Sequence, residues 1–246
     1  MKRIKIISVV FWRIWVGFLA ALFALLIGVF WTFPLAFSDK TFPLAYKGMR
    51  LWATLVFYGS GFRLEVESKE KFTKNQPAII SSNHYSPFDI LVMLLLHKQN
   101  PIVFVGKEEL VRIPIFGKFY QKLSITVDRS NMRSRGNVFK LAKEEIKLGN
   151  SIVIFPEGGI SDNRSLVLQR FKDGAFTIAI STKVPLVIYS IKGLKEMFPE
   201  SWTEGYPGKV KVKLVDVIPT ENLSLADKDE LKQRCYEKLY NELILD

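Results

Sequence analysis

Apolar positions divide the chain into two regimes. Residues 16–37 are almost wholly apolar, with Thr32 the one clear exception. Roughly 22 residues rising about 1.5 Å each match a hydrocarbon core of about 30 Å, so this segment is expected to meet or enter a bilayer. A second apolar stretch, 51–62, follows Lys47 and Arg50 and is shorter and interrupted by glycine. It suits an interfacial position beside the first helix. Beyond residue 62 short apolar runs alternate with longer amphipathic stretches, the pattern of an α/β sheet. Strands are predicted over 62–66, 78–81, 102–105, 124–127, 152–155, 186–191 and 210–217, and helices over 87–97, 133–148, 174–182 and 228–243. In the first of these helices Phe88, Leu91, Val92, Leu95 and Leu96 recur at helical spacing, which commits one face to a core.

No repeat, low-complexity segment or linker interrupts the later region. The expectation is therefore an N-terminal membrane-associating helical segment over residues 1–61 and one α/β domain over 62–246, a single sheet flanked by helices. Lys2, Arg3, Lys5 and Arg13 precede the apolar segment and favour an N-terminus on the cytoplasmic side. A cleaved signal peptide has a shorter apolar region with a small-residue site after it, whereas Trp31, Phe33, Pro34 and Phe37 follow here. Trp12, Trp15, Trp31 and Trp52 read as interfacial anchors, against the alternative of a soluble hairpin buried throughout.

Charge narrows the partners. The 35 Lys and Arg against 24 Asp and Glu give a formal net charge of +11, which calls for an anionic partner. Nucleic acid is disfavoured, because the charge accompanies a bilayer-length apolar segment and no recognition motif; anionic lipid or a phosphorylated substrate fits. The one cysteine, Cys235, admits no internal disulfide and reads as a half-buried helix residue. With two histidines, His84 and His97, and no Cys/His cluster, no metal site is expected, which excludes hydrolases built on imidazole-thiolate zinc. His97, beside Lys98 at the end of the predicted helix, reads as a solvated C-terminal residue.

The richest chemistry lies in Ser82-Asn83-His84-Tyr85-Ser86-Pro87-Phe88-Asp89-Ile90. Helix capping accounts for much of it, with Ser86 as N-cap, Pro87 at the first helical position, Asp89 at the third, and Tyr85 and Ile90 as a hydrophobic staple. Capping leaves the Asn-His pair unexplained, at the C-terminal end of a strand where open α/β sheets hold their ligands. A carboxylate in the first helical turn can also reach back to the histidine. Asp89 would then hold one ring nitrogen and leave the other to take a proton from a hydroxyl. The segment alone stands balanced between cap and catalytic base. No G-x-S-x-G elbow supplies a nucleophilic serine, so the acceptor's own hydroxyl is the expected nucleophile. Glu157 and Gly158 follow a buried-looking strand in a glycine-rich turn, suited either to a positive-φ turn or to backbone N–H groups approaching a phosphate or oxyanion.

Four ordered blocks resemble the glycerolipid acyltransferase family, which includes 1-acyl-sn-glycerol-3-phosphate acyltransferase. Asn83-His84 with Asp89 matches the family's NH-x4-D, in which His and Asp form the catalytic pair. Gly106-Lys107-Glu108-Glu109-Leu110, Ile113-Pro114-Ile115-Phe116-Gly117 and Val127-Asp128-Arg129 resemble its second motif, whose lysine and terminal arginine are associated with the acceptor's phosphate end. Phe155-Pro156-Glu157-Gly158, with Phe171-Lys172-Asp173-Gly174-Ala175-Phe176 downstream, resembles the third, and Val184-Pro185-Leu186-Val187 the last strand motif. The third motif departs from the family's F-P-E-G-T-R-S: Gly159-Ile160-Ser161 follows Gly158, so threonine and arginine are missing. A guanidinium suits bidentate phosphate contact and isoleucine offers no donor. Lys107, Arg129, Arg164 and Arg170 are the candidate replacements, Arg164 and Arg170 reading otherwise as solvated loop charge.

The resemblance implies a single mixed sheet with flanking helices and an N-terminal hydrophobic helix pair at the membrane, the catalytic domain facing the cytoplasm. It implies transfer of a fatty acyl group from acyl-CoA or acyl carrier protein to the sn-2 hydroxyl of 1-acyl-glycerol-3-phosphate, giving phosphatidate for phospholipid synthesis. His84 and Asp89 would be catalytic, and Asn83, Lys107, Arg129, Glu157, Gly158 and Gly159 substrate-binding, with no cofactor beyond the donor. The alternatives are a phosphate-free lysolipid acceptor such as a lyso-aminolipid, or a non-catalytic lipid-binding membrane protein.

Overall fold

The computed structural model describes residues 2–67, 76–112, 116–128 and 131–245. Its centre is a seven-stranded mixed sheet in the order β1-β7-β6-β2-β5-β3-β4. The strands are β1 (Arg63–Val66), β2 (Ile79–Ser82), β3 (Ile102–Lys107), β4 (Ser124–Val127), β5 (Ser151–Val153), β6 (Leu186–Lys192) and β7 (Lys209–Ile218). All seven expected strands form. Neighbouring strands run parallel except β6 and β7, whose antiparallel ladder carries a register shift at Ile188/Tyr189. Parallel β2, β5, β3 and β4 end on one edge of the sheet, and the loops after them are thereby gathered together.

The helices are α1 (Lys2–Phe23), α2 (Phe33–Leu35), α3 (Phe42–Gly59), α4 (Phe88–Leu96), α5 (Phe116–Leu123), α6 (Met132–Lys147), α7 (Gly174–Thr182), α8 (Leu194–Met197) and α9 (Lys228–Ile244). A π-wound stretch, Ala24–Thr32, joins α1 to α2, so the chain stays helical from Lys2 to Leu35. That run contains a 31-residue apolar span long enough to cross a membrane. The second apolar stretch is longer than its sequence suggests, because α3 begins at Phe42. Its first turn, carrying Pro43, lies outside the continuous apolar window although the backbone there is already helical.

Helix α3 has two faces. Ala45, Tyr46, Ala53, Val56 and Phe57 are buried, and most of these join Val16, Phe62, Phe88 and the strand residues Ile80, Val187 and Val210 in one apolar cluster. Residue 61 thus marks a change of element type, while the packing runs across it. The Tyr46 hydroxyl donates to the carbonyl of His97, and Arg50 Nε donates to that of Leu94, so α3 satisfies carbonyls that the end of α4 leaves without helical partners. Gly48 lets α3 approach closely: a Cβ there would meet Thr32 Oγ1 at 2.5 Å.

Packing adds to one expectation and corrects two. The indole N–H groups of Trp12, Trp15, Trp31 and Trp52 donate to the carbonyls of Ser60, Gly59, Leu44 and Ala20, which makes them braces between α3 and the first helical run as well as bulky surface groups. His97 is buried rather than solvated, its ring edge-on to Tyr189, and burial lowers its pKa to about 4. Cys235 is fully buried in α9, where desolvation pushes its thiol up to about 12.

Candidate active site

The site begins with the turn between β2 and α4. Asp89, in the first turn of α4, is fully buried, and its Oδ2 accepts from Tyr85 N at 2.7 Å, Ser86 N at 2.9 Å and His84 Nδ1 at 3.0 Å. Ser86 Oγ accepts from Phe88 N at 3.3 Å. Helix start and His–Asp pair are therefore one construction: the carboxylate oxygen that takes the Tyr85 and Ser86 N–H groups ahead of α4 also holds the histidine. The staple partners diverge, since Tyr85 donates its hydroxyl to the Val167 carbonyl and Ile90 is exposed.

A carboxylate oxygen that accepts at Nδ1 assigns the neutral ring's proton to that nitrogen and leaves Nε2 as the basic one. Two further contacts fix the imidazole. It stacks on Phe155, with centroids 3.9 Å apart and planes 11° from parallel, and the backbone N–H of His84 donates to Glu157 Oε1 at 2.7 Å. Phe155 opens the third motif in the sequence, which gave it no role of its own. Its stacking on the imidazole is what the tertiary structure adds.

Asn83 and Glu157 hold the frame. The Asn83 side chain both donates to Ile191 O at 2.7 Å and accepts from Ile191 N at 2.8 Å, tying the β2 end to β6. Asn83 is fully buried, which corrects the expectation that it touches substrate. Glu157 is also buried; Oε1 takes the His84 N–H and Oε2 that of Gln169 at 2.8 Å. Burial raises its pKa, and these two N–H bonds oppose the rise. With both oxygens occupied, this carboxylate shapes the site rather than grasping a ligand. The Gly158 N–H closes a turn onto the Phe155 carbonyl at 3.1 Å, with φ at 86°, a conformation that favours glycine. That turn takes up the N–H expected to meet an oxyanion. The carbonyl of Gly159 accepts from Gln169 Nε2.

Lys107 is exposed at the end of β3, and the β3–β4 register sets it opposite Val127, two positions before Arg129. Arg129 itself lies outside the described residues. Arg170 lines a separate depression with Lys232 and Tyr236. A cleft of about 140 Å³ adjoins the pair through Tyr85 and Glu157 and is also lined by Ile160, Arg164, Lys195 and Pro199. The 198–204 segment, whose Pro199 lines the cleft, is joined to α1: Arg13, buried, donates to the carbonyls of Glu204 and Pro199, with its guanidinium over the Phe198 ring.

This arrangement can do base-assisted transfer to a hydroxyl. A Caenorhabditis elegans protein provisionally described as a 1-acyl-sn-glycerol-3-phosphate acyltransferase is 28% identical, over 96% of this chain and 92% of its own length. The chloroplastic 1-acyl-sn-glycerol-3-phosphate acyltransferase LPAT1 of Arabidopsis thaliana is 32% identical over 68% of this chain, which spans 46% of that protein. The fold matches the crystal structure of the 1-acyl-sn-glycerophosphate acyltransferase PlsC from Thermotoga maritima, with a TM-score of 0.78 at 23% identity over 99% of this chain and 96% of that one. Residues 63–192, more than half of the chain and all of the His84–Asp89 construction, match the Acyltransferase family model, and the chain belongs to that family.

Proposed function

We infer that this enzyme transfers a fatty acyl group from a thioester donor, acyl-CoA or acyl carrier protein, to the sn-2 hydroxyl of 1-acyl-glycerol-3-phosphate at a membrane surface, forming phosphatidate. The observation that carries the reading is the 3.0 Å contact between His84 Nδ1 and Asp89 Oδ2, held in a family whose relatives are described by that acceptor. His84 Nε2 takes the proton of the acceptor hydroxyl as its oxygen attacks the thioester carbonyl. The tetrahedral intermediate collapses with cleavage of the C–S bond, and the imidazolium returns the proton to the departing thiolate. Asp89 keeps the ring oriented and offsets its transient charge. No step calls for a metal or a resident cofactor. Lys107, at the end of β3, and Arg129, two positions after Val127 in the sequence, add positive charge for the anionic parts of the substrates.

The exposed apolar face of α1 and the stretch after it seats the enzyme in the bilayer, and Lys2, Arg3 and Lys5 set the catalytic edge on the cytoplasmic side. Ile160 motivates a second acceptor class, a lysolipid without phosphate. Purified protein supplied separately with lysophosphatidate, monoacylglycerol and a lyso-aminolipid, with thiol release as readout, separates them. Turnover on lysophosphatidate is expected; turnover confined to a phosphate-free acceptor would overturn the assignment.

A further inference from the structure

The family's phosphate-binding arginine is replaced by Ile160, yet the cleft that Ile160 lines is not without cations. Arg164, four residues along the same loop, lines it from one side, and Lys195, from α8 just after β6, lines it from another. Lys195 Nζ stands 5.0 Å from the centre of the Tyr85 ring and donates to the Leu166 carbonyl at 2.7 Å. An ammonium has three donors, and one is engaged there. The ring and the carbonyl hold the head group in place beside the residue that follows the base. Arg164 is ion-paired with Glu204, but both side chains are about half exposed, at 50% and 51%. Such a pair is worth little and can exchange its carboxylate for a phosphate at small cost. Asp162 and Glu200 line the same cleft, so an anion is favoured only where Lys195 and Arg164 outweigh them. Lys107 ends β3 on the other flank of β5 and does not line it.

We propose that Lys195, assisted by Arg164, binds the phosphomonoester of the acceptor in the cleft beside Tyr85, taking over the role of the arginine absent at position 160. The proposal rests on lysophosphatidate as acceptor and deepens that reading. It places specificity on a residue outside the four motifs, eight positions past Val187, on the helix that follows β6, the neighbour of β2 in the sheet.

The test uses the full chain in vesicles, with Lys195→Ala, Lys195→Arg, Arg164→Ala and Lys107→Ala. Steady-state kinetics on lysophosphatidate is read beside phosphorus NMR line broadening of inorganic phosphate, which needs no turnover. Lys195→Ala is expected to raise KM for lysophosphatidate roughly tenfold while kcat changes little, and to weaken phosphate broadening in step. Lys195→Arg should restore most of the loss, which a defect of folding would not allow, and Arg164→Ala should raise KM by about threefold. Unchanged KM and unchanged broadening in both Lys195→Ala and Arg164→Ala, with Lys107→Ala carrying the loss, overturns the site while leaving the acceptor assignment intact. Lys195-dependent phosphate broadening in an enzyme that acylates only phosphate-free lipids does the reverse: the site stands and the assigned acceptor falls.

Discussion

Helix α4 and the first helical run are both strongly apolar, and the protein treats them oppositely. In α4, seven of the residues are buried, including Asp89. Along the first run Phe11, Phe18, Leu25, Leu26 and Phe30 stay exposed, Phe11 at 68% and Phe30 at 73%. An apolar helix with protein on every side is a core element, and one with protein on a single side requires another solvent. The same contrast governs polar groups. The buried Asp89 oxygen has three donors at the centre of the site, and the indole N–H groups at the surface are turned inward onto carbonyls, so that water need not serve them. One region is organised to hold an imidazole rigid, the other to be usable in lipid.

The largest expected effect separates the two regions by function. His84→Ala should lower acyl transfer by roughly 10⁴-fold, and Asp89→Asn by about 10²-fold or more, with vesicle binding unchanged in a flotation assay. Next, replacing Phe11, Phe18 and Phe30 together by Ser should weaken vesicle partition by roughly 10³-fold, taking about 1.5 kcal/mol for each buried ring, while thermal stability in detergent is retained. Partition at the wild-type level would dissolve the contrast.

Equal truncations sharpen it further. Leu94→Ala, in the buried part of α4, should cost about 2–5 kcal/mol in chemical denaturation, and Leu26→Ala, which is exposed, less than about 0.5 kcal/mol. Acid should then act through the buried end of α4. The His97 pKa falls from 6.5 to about 4 on folding, so its contribution is complete above pH 6.5 and is lost as pH drops toward 4. Stability at pH 4 should be lower by roughly 3 kcal/mol on this account, a loss that His97→Gln removes from the pH profile. The smallest effect is that of Trp15→Phe, which deletes one brace to Gly59 and should cost about 1 kcal/mol in detergent, read as a small fall in melting temperature.

Much of this was legible because it is periodic or local. The seven strands and α4, α6, α7 and α9 followed from apolar spacing, with ends moved by a residue or two. The His84–Asp89 contact was legible because both residues belong to one turn and one first helical turn, whose geometry brings them within reach. Helix α5 escaped notice because its eight residues mix charge and aromatics without a long apolar run.

Burial depends on what lies opposite, and that is set by segments distant in sequence. His97 is neutral and buried because α3 and Tyr189 cover it, a neighbourhood no local pattern contains. Asn83 reaches 108 residues to Ile191, and Glu157 reaches 73 back to His84, so two residues that read as ligand contacts are fastenings. The sequence by itself determined the alternation of elements, the apolar N-terminal run, and the nearness of His84 to Asp89. Tertiary structure alone decided the strand order, the stacking of Phe155 on the imidazole and the meeting of Ile160, Arg164 and Lys195 in one cleft, because each joins separate segments through the sheet rather than through the chain.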